Sequence, residues 1–189
     1  MKWQFLNRPA IGLAAVAAAA AMATAPAHAA PAQVTLDVSG IFSNDELGAA
    51  INELRSIGFA VGARITGIAW DVDLFADSPS WLSEISVDLS SDGGVGLSLS
   101  PGIGDNFSGT GSYFGAADLV ALGLDFAIGA SGQLKFEFFE TFVDFPGDWD
   151  GLWERGTLTV TYVPEPASFG LAALALLGAG AASRRRKAD

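Results

Sequence analysis

The chain of 189 residues contains no cysteine and one histidine, His28. Without thiols there is no disulfide, although an exported compartment would permit one, and the fold has to rest on its core alone. His28 falls in a leader expected to be removed, so the mature chain has no imidazole. That excludes Ser-His-Asp and Cys-His catalysis and nearly all zinc or copper chemistry. Basic residues are almost as scarce: between residues 30 and 163, Arg55, Arg64, Lys135 and Arg155 face nineteen Asp and Glu, a formal balance of −15. Such a field repels nucleic acid and anionic lipid and favours solubility and divalent cations, so no nucleic-acid partner is expected. Carboxylates, one lysine, tyrosines and hydroxyls are what remain for chemistry.

Long apolar runs occur only at the two ends. They inflate the hydrophobic fraction to 50% and the mean hydropathy to +0.37, and the middle of the chain is soluble in character. At the start, Lys2 and Arg8 precede an apolar stretch over residues 11–25 and the small-x-small site Ala27-His28-Ala29. This is the pattern of a secretory signal peptide. Signal peptidase is expected to cut between Ala29 and Ala30, and residues 1–29 are left out of fold reasoning.

At the other end, Val163-Pro164-Glu165-Pro166 is followed by a segment without charge over residues 167–182 and then by Arg184, Arg185, Arg186 and Lys187. The two prolines lack backbone donors and fix φ, ending the preceding strand and holding Glu165 extended. The apolar segment is at the short end of the roughly 17–25 residues that cross a bilayer, which makes it a marginal helical anchor in the inner membrane. The four basic residues resist crossing, so everything before Pro164 lies outside. This tripartite order resembles the PEP-CTERM sorting signal of Gram-negative, biofilm-forming bacteria. The resemblance implies that an exosortase, a transpeptidase-like membrane protease, recognises Pro164, Glu165 and Pro166. It then removes the tail (residues 164–187 being the signal) as the protein passes to the cell surface or matrix.

Between the two signals, residues 30–163 are the size of one domain. Period-two alternation predicts at least five strands: Val34, Leu36 and Val38; Trp70, Val72 and Leu74; Ile85, Val87 and Leu89; Leu134, Phe136 and Phe138; Leu158, Val160 and Tyr162. Adjacent Phe138 and Phe139 break the alternation, as a β-bulge would. Residues 91–116, rich in Gly, Ser and Asp, are expected to form turns and a long surface loop. Strands with turn signals between them predict an all-β antiparallel sandwich of jelly-roll type, followed by the C-terminal hydrophobic helix. Over residues 46–58 two readings stand side by side. Leu47, Ile51 and Leu54 recur at helical spacing after the capping-box pattern Ser43-Asn44-Asp45-Glu46. A second resemblance places a strand at about residues 51–59 instead. It is carried by Ile65-Thr66-Gly67-Ile68-Ala69-Trp70-Asp71-Val72, Ser80-Trp81-Leu82-Ser83-Glu84, Phe136-Glu137-Phe138-Phe139-Glu140 and Gly156-Thr157-Leu158-Thr159-Val160. The series is similar to the body of a group of PEP-CTERM surface proteins, and it implies no catalytic residues.

Three activities compete for the domain. Asp144, Asp148 and Asp150 surround Pro146-Gly147, and hard oxygen ligands on a loop suit calcium, though without the register of an EF-hand. Trp149 and Trp153, four apart among acidic residues, are expected to be open for stacking on sugar rings, with Trp81 as a third candidate and Trp70 in the core. Glu137 and Glu140, or Glu84 and Asp88, are the carboxylate pairs a glycoside hydrolase would need. This is a remote reading, since carboxylate abundance is not a site. The sequence points to a non-enzymatic structural or adhesive protein of the surface or exopolysaccharide matrix.

Overall fold

Alternating apolar and polar residues fold residues 29–165, which the computed structural model describes, into ten strands. They are β1 (Ala32–Asp37), β2 (Ile41–Ser43), β3 (Glu53–Gly58), β4 (Arg64–Ala76), β5 (Ile85–Ser90), β6 (Gly96–Leu99), β7 (Gly109–Asp118), β8 (Phe126–Ala127), β9 (Gln133–Glu140) and β10 (Gly151–Val163). A short helix, α1 (Leu119–Leu122), follows β7 and is capped by the Asp118 carboxylate, which accepts from the amides of Val120 and Ala121. The leader through His28, Pro166, the expected hydrophobic helix, and Arg184, Arg185, Arg186 and Lys187 lie outside the described residues.

Two antiparallel sheets pack face to face as a sandwich. One runs β1-β10-β4-β7, with β2 also on β10 and β8 also on β4; the other runs β3-β9-β5-β6. The core between them holds Ile65, Val72, Leu74, Leu158 and Val160 from the first sheet and Ile85, Val87, Leu89, Leu134, Phe136 and Phe138 from the second. Phe138 and Trp153 join the layers edge to face, with ring centroids 5.2 Å apart.

The two long strands could not keep one face buried without correction, because their apolar residues change parity along the chain. In β10, Trp153 is in the odd frame and Leu158 and Val160 in the even one. The register against β4 skips Glu154, so all three point inward. In β4 it skips Thr66, which brings Ile65 and Ile68 to the same side. Each extra residue is a β-bulge that re-phases its strand.

The structure corrects two expectations and decides between two readings at a third place. No bulge lies at Phe138-Phe139: β9 pairs without a skip against both β3 and β5, and Phe139, on the opposite face from Phe138, is itself nearly buried. The stretch 91–116 is not one long loop, since it contains β6 and most of β7. Gly93, Gly94 and Gly104 make turns with positive φ, while others serve close packing: a Cβ at Gly115 would come within 2.4 Å of the Trp70 ring. Of the two readings at 46–58 the strand is the one found, as β3, and the helical spacing does not produce a helix. Gly48 takes φ +90°, and Asn52 accepts from the Asp45 amide at 3.0 Å and donates to the Glu46 carbonyl at 2.8 Å, fixing a turn that leads into β3. Ser43, the would-be cap, is buried instead, accepting from Trp153 Nε1 at 3.3 Å.

Deleting Glu154 would put Trp153 out of phase with Leu158 and Val160, whereas Glu154→Ala leaves the bulge in place. Thermal unfolding followed by circular dichroism should find the deletion unfolded or severely destabilised and the alanine variant within about 0.5 kcal/mol of the parent.

Candidate functional site

The sorting signal grows directly out of the central strand of the larger sheet. β10 pairs with β4 as far as Val163, opposite Arg64, and the proline-rich segment begins at the next residue. On its other side β10 pairs with β1, Ala32 opposite Tyr162. Antiparallel pairing therefore brings Ala29 and Ala30, the expected signal-peptidase site, out at the same end of the sandwich as Pro164 and Glu165. Both segments are irregular there. Ala30 and Glu165 are exposed, while Pro164 is half-buried.

The thirteen residues of β10 carry the chain about 40 Å away from that end. At the far end β10 starts at Gly151, immediately after the loop holding Asp144, Asp148 and Asp150. The structure does not use these three carboxylates as a set. Asp150 turns inward and is fully buried, accepting from the amides of Asp144 at 2.7 Å and Phe145 at 2.9 Å. Asp148 is exposed and accepts from the Trp149 amide. Among the described residues no three carboxylates converge as a metal cage.

The residue that sequence reasoning passed over as a ligand here is Glu140. The end of β9 points it into the interior beside Asp150. Its side chain is fully buried, and neither carboxylate oxygen has a hydrogen-bond partner. Burial first, and then the negative charges of Asp150 and Glu84, push its carboxyl from an ordinary 4.5 up to about 9, with the nearby Ser43 hydroxyl acting in the opposite direction. Burial also raises Asp150, against the two amides it accepts from. Close approach depends on Gly151, where a Cβ would come within 2.5 Å of Glu140 Oε1. The sequence did carry a signal: in the Leu134, Phe136, Phe138 frame, the next inward position is 140.

Glu137, the other half of the expected acid-base pair, lies on the opposite face of β9. Its carboxylate accepts from the side chain of Asn52 at 2.8 Å and from the amide of Gly48, tying the 44–52 turn to the sheet. Glu84 is committed to Ser80 Oγ and to the amide of Trp81, and Asp88 to Ser98. Asp73 pairs with Arg155, and Arg64 and Arg55 pair with Asp125 and Glu53.

The tryptophans divide differently from expectation. Trp153 is wholly buried, since β10 parity sends it inward, so it is not a stacking surface. Trp149 is half-buried, its ring 5.4 Å from Phe42 and 6.3 Å from Phe75 on the outer face of the larger sheet. Trp81 is 43% exposed and Phe142 59%. With Pro79, Glu84 and Asp144 these two line an open recess at the same end of the sandwich as Glu140.

In cation-free buffer the folded chain keeps on Glu140 a proton that the unfolded chain gives up near 4.5, so stability is full below that pH and falls as pH rises toward about 9. The loss is on the order of several kcal/mol. Urea unfolding across this range should follow that slope. Glu140→Gln should flatten it and stabilise the protein above neutral pH; an unchanged slope in the variant would contradict the assignment.

No curated protein matches the chain. Among solved structures it is similar over 71% of its length to the infectious bursal disease virus VP2 subviral particle, at 13% identity and a TM-score of 0.32. Over 75% of its length it is similar to dimeric latent PorU from Porphyromonas gingivalis, at 9% identity and a TM-score of 0.37. The chain spans only 33% and 13% of the length of those two proteins. A family model describing the PEP-CTERM protein-sorting motif matches residues 163–187. That motif implies processing by an exosortase and export to the cell surface. The chain is thus a protein with a β-sandwich body that carries the PEP-CTERM sorting motif at its C-terminal end.

Proposed function

We propose that this protein is a non-enzymatic structural or adhesive component of the cell surface or the exopolysaccharide matrix. It would be held at one end during sorting and would present the opposite end outward. The pairing of Ala32 with Tyr162 supports the reading, because the chain enters β1 beside the point where β10 runs into Pro164, so that a mature chain beginning at Ala30 would start next to the sorting motif. A domain tethered there has its far loops about 40 Å along β10 from the tether. Signal peptidase and the exosortase would act in turn at that one end without disturbing the sandwich.

The non-enzymatic part of the reading is supported by the carboxylates themselves. Glu137 and Glu140 face opposite sides of one strand, so these two cannot flank one glycosidic bond as glycoside hydrolysis requires. Incubated with the exopolysaccharide of its own host, the protein is expected to be retained without releasing reducing ends. Release that disappears in Glu137→Gln or Glu140→Gln would overturn this.

One observation favours a glycan-binding role within the same reading. Trp81 and Phe142 flank a recess whose rim carries Glu84 and Asp144, an aromatic surface beside hydrogen-bond acceptors. Trp81→Ala should reduce retention on the polysaccharide roughly three- to tenfold in a pull-down series, while Trp149→Ala should leave it largely intact. Equal retention by the parent and Trp81→Ala would remove the recess as a binding surface.

Replacing both Pro164 and Pro166 with alanine frees the segment that enters the protease and is expected to abolish surface display, measured by protease accessibility on intact cells. Undiminished display would contradict the role given to these prolines.

A further inference from the structure

Among the described residues, the two oxygens of Glu140 are the only buried side-chain polar atoms recorded without a hydrogen-bond partner. Buried carboxylates elsewhere in proteins are paired, hydrogen-bonded or bound to metal, because an uncompensated charge in the interior is strongly destabilising. Here every titratable group acting on Glu140 is acidic: Asp150, Glu84 and Asp144. Asp45 adds its charge at Asp150. The three arginines of the domain are paired elsewhere, with Glu53, Asp125 and Asp73. Among the described residues, no positive charge is found acting on this cluster.

We propose that Glu140 and Asp150 together hold a divalent cation, calcium by their donor chemistry, reached through the recess rimmed by Glu84 and Asp144. Asp150 spends one hydrogen bond on each oxygen, from the amides of Asp144 and Phe145, and keeps a lone pair free on each. Ser43, buried beside Glu140, adds a hydroxyl oxygen. With two carboxylates converging and not three, carbonyls and water must complete the shell. Calcium accepts such an irregular set of six to eight oxygens, whereas magnesium demands near-ideal octahedral geometry and zinc prefers nitrogen and sulfur. The backbone around the pair is already fixed: the amides of Glu140, Asp150 and Thr141 donate to the carbonyls of Asp45, Ser43 and Glu84. A cation there would tie the end of β9, the 141–150 loop and the start of β10 into one unit. This differs from the loop-only set Asp144, Asp148 and Asp150, since it depends on Glu140 and not on Asp148.

The test uses the full-length chain in detergent, stripped with EDTA and then titrated with calcium chloride. Calcium should raise the unfolding temperature on the order of 5–10 °C and give a saturable heat in calorimetry. Terbium chloride should bind the same site and show luminescence sensitised by tryptophan, lost on adding calcium. Glu140→Gln should abolish all three responses, and Asp148→Asn should keep them. Absence of any calcium response in the parent, or a full response in Glu140→Gln, would overturn the proposal. If Glu140→Gln fails to fold, Asp150→Asn and the titration of the parent decide the matter in the same way.

Discussion

The sandwich depends on β10 being paired on both sides over most of its length. Its thirteen residues bond to β4 on one side and to β2 and then β1 on the other. It supplies Trp153, Leu158 and Val160 to the core and links the far loops to the sorting segment. With no disulfide to close the chain, this pairing and the apolar layer beneath it are what resist unfolding. The Glu154 bulge is the local cost of using one strand for both tasks, since it allows a strand with two apolar frames to bury both.

That arrangement gives the domain two unlike ends. At one, the strands nearest the mature start and the sorting motif lie next to each other, and the chain leaves in a proline-stiffened segment. At the other, Glu140 and Asp150 are buried, and the exposed aromatics Trp81 and Phe142 line an open recess together with Glu84 and Asp144. Placing a repulsive carboxylate pair in the interior lowers the stability of the cation-free protein, and it does so far from the end where processing takes place. An acidic surface with three of its four basic residues engaged in ion pairs leaves small cations as the natural counter-charge.

Much of this was legible in the chain because strand periodicity survives without long-range information. The five alternating segments fall within β1, β4, β5, β9 and β10, except that Val38 lies just past the end of β1. What was not legible has specific physical causes. At residues 46–58, where helix and strand stood side by side, the choice of strand rests on a turn fixed by Asn52 and Glu137, partners 85 residues apart. In 91–116 Gly93, Gly94 and Gly104 do form turns, with positive φ, but Gly115 is a small residue inside β7 that leaves room for the Trp70 ring. The parity change between Trp153 and Leu158 was visible, yet without it being taken as a bulge Trp153 was assigned to the surface. Glu140 needed its strand phase as well as its charge, and loop aspartates drew attention because they are adjacent in sequence. The sorting motif was readable throughout because its parts are contiguous and each acts through composition alone.

The central claim is that the sandwich is delivered outside the cell and trimmed at the end where Ala30 and Pro164 lie. Intact mass spectrometry of the protein recovered from the host's outer fraction and medium tests it most directly. The account requires a product that starts at Ala30 and ends close to Pro164-Glu165-Pro166, with or without added carbohydrate. A product still carrying Arg184, Arg185, Arg186 and Lys187 would contradict it and make the tail a permanent anchor.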